Sequence, residues 1–109
     1  MNLVLSVVVL ILTACSSARR GEPISGPLNL DSKQLTEGQA AFNAHCDQCH
    51  PGGEAGLGPA LNNKPLPPFL MKIQVRRGLG AMPGFSEEHI SDRELDNLIA
   101  YIKALRHHR

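Results

Sequence analysis

The chain has 109 residues and a formal net charge of +1, which allows one domain and gives no support for a nucleic-acid partner. It contains no Trp, one Tyr and three Phe, so aromatic side chains can fill little of a core. Small domains of this composition often need a staple, a metal or a cofactor for stability.

The first twelve residues, "MNLVLSVVVLIL", carry no charged side chain and are almost wholly apolar. A membrane-spanning helix needs about 20 such residues, so this run has instead the length of a secretory signal core. The next residues, Leu12–Cys15 ("LTAC"), resemble the lipobox of bacterial lipoproteins, in which cleavage occurs before the cysteine and the cysteine is acylated. We therefore expect residues 1–14 to be a cleaved lipoprotein signal peptide and Cys15 to be the lipidation site. The alternative is that Cys15 is a small apolar residue at the end of an ordinary signal peptide.

Residues 15–31 are rich in Ser, Gly and Pro and show no apolar periodicity, which is typical of a flexible tether. As a random coil, such a segment spans roughly 20–25 Å. The signal and tether predict an exported protein, anchored by lipid on the periplasmic side of a bacterial membrane. Ser16, directly after the cysteine, resembles sequences sent to the outer membrane.

The domain is expected over residues 32–109 and begins with a helix at about residues 32–46. Asp31 or Ser32 can cap this helix, with Gln34 completing a capping box after Asp31. Gly38 lies in the helix interior, where it costs about 1 kcal/mol relative to Ala, so we expect another helix to cross closely there. One face of the helix carries the residues that recur at three- and four-residue steps: Leu35, Gly38, Phe42 and Cys46.

Two loops flank a short second helix. Residues 51–66 hold four Gly and three Pro and are predicted to be loop. A helix is predicted from Pro68 to Arg77, because Pro favours the start of a helix and Gly78 favours its end. Met71 within it is expected to fill the core. Residues 78–85 are predicted to be loop again.

The last helix has the clearest signals. Ser91–Glu94 ("SDRE") forms a capping box with acidic residues at the positive end of the helix dipole. The helix then carries an apolar stripe made of Leu95, Leu98, Ile99, Ile102 and Leu105. Because no stretch has the pattern of a strand, the sequence predicts an all-α domain.

The pentapeptide Cys46–His50 ("CDQCH") has three interpretations. A redox Cys-x-x-Cys pair usually lies in a βαβ unit, whereas this motif ends a helix. A zinc site needs four enclosing ligands, and the chain offers no second cysteine pair, although His45, His89, His107 or His108 could complete one. Cys-x-x-Cys-His is also the attachment signature of c-type haem, and export would bring the chain to where such haem is attached in bacteria.

From about residue 33 to 106 the chain resembles a class I bacterial cytochrome c. That resemblance implies a small all-α fold of three to four helices and long loops around one covalently bound haem c. It implies that Cys46 and Cys49 form the thioether bonds and that His50 is the proximal iron ligand. Met82, in "GAMPGF", matches the family's sixth ligand. Pro59, in "GLGPAL", matches the proline whose carbonyl accepts the Nδ1 proton of the haem histidine.

The resemblance extends to the helix packing, because Gly38 and Phe42 match the family's first helix, and Leu98 and Tyr101 match its last. It leaves the groups that contact the haem propionates open. The candidates, each equally a solvated residue, are Asn62, Asn63, Arg76 and Arg77.

The expected function is one-electron transfer by a membrane-tethered, mono-haem protein rather than catalysis. Its expected partners are redox proteins, namely a donor dehydrogenase or respiratory complex and an acceptor oxidase or reductase. Two alternatives remain: a haem subunit of a larger oxidoreductase complex, and a ligand-binding or peroxidase-like protein in which Met82 dissociates.

Overall fold

The computed structural model describes residues 27–107. Its elements are α1 (Lys33–His45), a 3-10 turn (Pro51–Gly53), α2 (Pro68–Arg77) and α3 (Asp92–His107). Between residues 27 and 107 there is no strand, although Leu79 and Met82 form an isolated antiparallel bridge. The all-α prediction is therefore confirmed. The signal peptide, Cys15 and most of the tether lie outside the described residues.

None of the helices in this described part of the chain is both long and apolar enough to cross a bilayer.

Helix α1 begins one residue later and ends one residue earlier than predicted. Its N-cap is Ser32, whose side chain accepts a hydrogen bond from the Leu35 amide at 3.2 Å. The residue three positions after this cap is therefore Leu35, which has no polar group to return the bond, so the predicted capping box with Gln34 does not form.

Helix α2 has the bounds that the sequence predicts. Pro67 caps its start, and Gly78 ends it with φ of 70°, a conformation that favours glycine. Met71 and Val75 point into the core, as expected for Met71.

Helix α3 begins with the predicted reciprocal box. The Ser91 amide donates to Glu94 Oε2 at 2.8 Å, and the Glu94 amide donates to Ser91 Oγ at 3.1 Å. The Ser91 backbone N–H, and after it the Ser91 hydroxyl, lower the pKa of the Glu94 carboxyl. All five residues of the predicted stripe are buried.

Helices α1 and α3 cross at the glycine of α1. A Cβ at Gly38 would overlap the Asn97 carbonyl and lie 2.9 Å from the Tyr101 Cβ. Next to this contact the Phe42 and Tyr101 rings pack with centroids 5.3 Å apart. Leu98 and Phe42 are fully buried there. The helix-interior glycine is thus explained by the close crossing, as predicted.

Arg106, near the end of α3, ties the loop before α2 to the core. Its Nη1 donates to the Leu66 carbonyl at 2.8 Å and its Nη2 contacts Met71 Sδ at 2.8 Å. Its partial burial lowers the pKa of the Arg106 guanidinium. This contact positions α2, and with it the loop that follows, relative to α3.

Candidate functional site

The Cys-x-x-Cys-His motif forms a tight turn at the C-terminal end of α1. The Cys46 amide donates to the Phe42 carbonyl at 2.8 Å and so caps the helix. The amides of Cys49 and His50 both donate to the Cys46 carbonyl, at 3.1 and 2.9 Å. Neither cysteine is in a disulfide, and both are half-buried. The turn therefore holds two thiols and one imidazole within a single short segment.

The imidazole of His50 is buried and oriented by one hydrogen bond. Its Nδ1 lies 2.8 Å from the Pro59 carbonyl oxygen, and its side chain is buried. Because a carbonyl only accepts, Nδ1 carries the proton and Nε2 carries the lone pair. A histidine held in this way presents Nε2 as a metal ligand.

Glycines allow the Pro59 loop to lie against the imidazole. A Cβ at Gly58 would collide with the His50 ring, including Nδ1 at 2.7 Å. The Gly58 amide donates to the Cys49 carbonyl at 2.8 Å, and the Leu61 amide donates to the Gly53 carbonyl at 2.8 Å. Hydrogen bonds thus close the loop on both sides of Pro59. Because Gly58 has no side chain, the His50 ring can occupy the space beside it.

Met82 lies on the loop between α2 and α3. Leu79 and Met82 exchange two backbone hydrogen bonds of 3.1 and 3.0 Å, which close a tight turn. Gly78 is required at its start, since a Cβ there would collide with the Met82 carbonyl. The Met82 side chain is half-buried and packs against the core.

Gln74 contacts the Met82 sulfur and was missed by sequence reasoning. Its side-chain amide Nε2 donates to Met82 Sδ at 3.8 Å. Neither residue type nor helical periodicity indicates this pairing, because it depends on how the loop folds back over the last turn of α2.

The four candidates for propionate contacts lie in different surroundings. Arg76 donates to loop carbonyls and pairs with Asp92 at 2.7 Å, so its guanidinium is already engaged. Asn62 is buried, Asn63 Oδ1 accepts from Lys64 Nζ at 2.9 Å, and Arg77 is exposed.

The environment of Cys46 disfavours the thiol-redox interpretation. Burial, followed by the nearby Asp47 and Cys49, raises the pKa of the Cys46 thiol to about 11. Thiol–disulfide exchange needs a thiolate, which reactive cysteines obtain through a lowered pKa.

The zinc interpretation also finds no ligand set in the part of the chain that is described. Among residues 27–107 no three or more His, Cys, Asp or Glu side chains are grouped to hold a metal ion. The His45 ring packs edge-on against Phe85 with centroids 5.7 Å apart, and His89 Nδ1 lies 2.9 Å from Ser86 Oγ.

The residues present fit a covalently attached haem. Two unpaired thiols, an imidazole with a bare Nε2 and a thioether are the donor set that such a group requires. Large apolar side chains also remain exposed around the loops and α2, where an apolar group can cover them. They are Leu57, Leu66, Phe69, Leu70, Ile73 and Leu79, with exposed fractions between 40% and 77%.

Comparison with known proteins finds a family model that matches most of the domain and several proteins of similar sequence. Residues 33–102 match the family model described as cytochrome C oxidase, cbb3-type, subunit III. The chain is 33% identical over 81 residues to the 4-cresol dehydrogenase [hydroxylating] cytochrome c subunit of Pseudomonas putida, covering 74% of this chain and 70% of that protein. It is 33% identical over 78 residues to cytochrome c6 of Bryopsis maxima, covering 62% of this chain and 88% of that protein. No solved structure gives a significant match.

Proposed function

This chain belongs to the class I c-type cytochromes, electron-transfer proteins with covalently bound haem c, and we propose that Cys46, Cys49, His50 and Met82 hold its haem. The observation that carries the assignment is the 2.8 Å hydrogen bond from His50 Nδ1 to the Pro59 carbonyl. It leaves Nε2 as the ligand atom in the same turn as the two thiols.

The two cysteines fix the position of the haem. Cys46 and Cys49 would hold the haem through two thioether bonds, one to each of its vinyl groups, with the thiol hydrogen taken up by the other vinyl carbon. Cys46 and Cys49 point from one turn, whose shape is set by the bonds to the Cys46 carbonyl. Attachment at these two thiols would bring the haem close to His50, which lies in the same turn.

The two axial residues set the electronic character of the site. Pro59 holds the imidazole in one orientation and raises its basicity toward the metal. Met82 is a neutral thioether, which favours the ferrous state compared with a second nitrogen ligand. The bound haem supplies one-electron chemistry at its iron. With both His50 and Met82 bound to the iron, no open position would remain for oxygen or substrate, and the chain would serve to ligate the haem, bury it and dock it to redox partners.

The N-terminal sequence supports a membrane anchor for this carrier. We propose that residues 1–14 are removed as a signal peptide, that Cys15 is acylated, and that residues 15–31 tether the domain on the periplasmic side of a bacterial membrane. Ser16 favours the outer membrane. A tether of roughly 20–25 Å would let the domain move between partners.

The partners are other redox proteins. One relative is by its name the cytochrome c subunit of 4-cresol dehydrogenase, which supports a dehydrogenase as electron donor to this chain. We propose a donor dehydrogenase or respiratory complex and an acceptor oxidase or reductase. That same relative favours a second candidate, a haem subunit fixed in a larger oxidoreductase complex.

Mass spectrometry of the protein from a host competent in haem attachment tests the assignment. We expect a mass increase equal to one haem, which is lost in Cys46→Ala, Cys49→Ala double variants. A colourless wild-type protein without added mass would contradict the proposal.

Carbon monoxide binding separates the carrier from the ligand-binding alternative. The reduced wild-type protein should not bind carbon monoxide, whereas Met82→Ala should bind it readily with the haem still attached. Met71→Leu is the matched control: it removes a different thioether, one that contacts Arg106 in the core, and carbon monoxide binding should stay as in the wild type because Arg106 still bonds to the Leu66 carbonyl. Ready binding by the wild type would favour a peroxidase-like or ligand-binding protein instead.

A further inference from the structure

The guanidinium of Arg76 joins three parts of the molecule. From the last turn of α2, Nη1 donates to the Ile90 carbonyl at 2.6 Å and to the Phe85 carbonyl at 3.2 Å. Nη2 contacts Asp92, at the start of α3, at 2.7 Å. The Arg76 side chain is only 22% exposed. Both carbonyls belong to the segment of residues 78–91 that carries Met82, here called the Met82 loop.

Backbone contacts fasten the Met82 loop at the same place. The Phe85 amide donates to the Val75 carbonyl at 2.8 Å, so both backbone polar groups of Phe85 are bound to the last turn of α2. Gly84 lies directly on that turn, since a Cβ there would be 2.7 Å from the Arg76 carbonyl oxygen. The amides of His89 and Ile90 donate to the Ser86 carbonyl, which closes residues 86–90 into a turn. Arg76 therefore bridges the two ends of this turn.

We propose that Arg76 is a positioning residue that holds the Met82 loop against α2 and so keeps the Met82 thioether on the iron. This inference rests on the proposed ligation by Met82. A charged donor to a carbonyl is stronger than a neutral one, and the low exposure of Arg76 limits competition from water. The contact with Asp92 adds less, because its carboxylate is 76% exposed and exposed ion pairs contribute little.

Competition by imidazole for the ferric iron measures how firmly the loop holds Met82. In Arg76→Met we expect imidazole to bind about tenfold more tightly than in the wild type, because opening the loop no longer breaks two charge-assisted hydrogen bonds. Arg76→Lys keeps the charge, and its imidazole affinity should lie between those of the wild type and Arg76→Met. Asp92→Asn should change the affinity by less than about threefold. The matched control is Arg93→Met, which removes an exposed arginine beside Asp92 and should have no effect.

Hydrogen exchange gives a second readout that does not depend on ligand binding. The Phe85 amide should exchange faster in Arg76→Met, while amides within α3 keep their protection. If all amides lost protection together, Arg76 would have a general structural role and the proposal would be wrong.

Two further outcomes separate this inference from the proposed ligation. A shifted redox potential with unchanged imidazole affinity would place the guanidinium on a haem propionate and overturn the positioning role. If the wild type itself bound imidazole as tightly as Met82→Ala, the ligation by Met82 would fail, and the Arg76 inference with it. Equal affinities in the wild type and Arg76→Met, both weaker than in Met82→Ala, would reject the Arg76 role alone.

Discussion

At the scale of single residues, the site depends on contacts that orient the donor atoms. His50 is oriented by a backbone carbonyl, and the thioether of Met82 is contacted by the amide of Gln74. The motif can be identified from residue type and spacing, and the methionine from the resemblance to the cytochrome c family. Gln74 cannot, because nothing in the sequence indicates that a helix side chain reaches the sulfur of a residue in the following loop.

The Gln74 contact should raise the redox potential. An N–H donated to sulfur draws electron density from the thioether, and a weaker donor favours ferrous iron. Gln74→Leu should therefore lower the potential, by on the order of 40 mV if the bond favours ferrous over ferric iron by about 1 kcal/mol. Redox titration against the exposed control Gln34→Leu measures the change. An unchanged or higher potential in Gln74→Leu would show that the bond does not tune the iron.

At the scale of elements, helix ends and helix crossings follow from few residues. The reciprocal box at Ser91 fixes the start of α3, and Gly78 fixes the end of α2. The start of α1 shows where local pattern is insufficient. Two adjacent polar residues could cap it, and the helix uses Ser32, which leaves Gln34 without its expected role.

The crossing of α1 and α3 predicts that Gly38→Ala destabilises the domain. Helix propensity alone would make the change favourable by about 1 kcal/mol. The added methyl group would overlap the Asn97 carbonyl, and overpacking of this kind costs about 1–3 kcal/mol. Denaturant unfolding should show a lower free energy of unfolding for Gly38→Ala. Ala40→Gly, at an exposed position of the same helix, calibrates the propensity effect. A stabilised Gly38→Ala variant would mean that the helices can separate at no cost.

The capping box of Ser91 and Glu94 at the start of α3 predicts that Glu94 contributes to folding stability in a way that depends on pH. The Ser91 amide lowers the pKa of Glu94 in the folded state, so the folded protein favours the charged carboxylate more than the unfolded chain does. The contribution is complete above the ordinary glutamate pKa of about 4.3 and is lost as the pH falls through the lowered pKa of the folded state. The stability difference between the wild type and Glu94→Gln should therefore narrow on acidification.

Thermal unfolding at several pH values measures this difference. Glu88→Gln, which removes an exposed carboxylate from the Met82 loop, controls for loss of one negative charge. A difference for Glu94→Gln that stayed constant down to pH values well below about 4 would contradict the assignment.

At the scale of the whole molecule, the domain is a small electron-transfer protein, and the membrane anchor proposed for it belongs to the N-terminal segment. The core of residues 27–107 is built on α1 and α3, while the two long loops supply the His50 and Met82 regions. The predicted anchor lies outside these residues. It therefore has to be tested on the full chain in its host.

Cys15→Ser should release the protein from the membrane. Without the Cys15 thiol, the proposed lipobox has no acceptor for acylation, and no helix of residues 27–107 is long and apolar enough to span a bilayer in its place. Detergent phase partitioning should move the variant to the aqueous phase with its haem attached. Ser17→Ala, in the same segment, is the control and should stay in the detergent phase, as the wild type does. Continued detergent partitioning of Cys15→Ser would exclude the lipid anchor.

The sequence by itself determined the fold class, the bounds of α2, the box of α3 and the family, because each depends on local spacing or on a short motif. Cys46, Cys49 and His50 are recognisable from the motif, and Met82 from the family resemblance, as the residues proposed to hold the haem. The resemblance also indicated Pro59 as the carbonyl partner of His50, and the structure has that hydrogen bond. Only the tertiary structure decided which other groups surround these residues. Three contacts are of this kind: Gly58 against the His50 ring, Gln74 with the Met82 sulfur, and Arg76 with the carbonyls of the Met82 loop. The residues in each contact meet only when a loop folds back on the rest of the chain. Periodicity describes one helix face at a time, so it carries no information about such contacts.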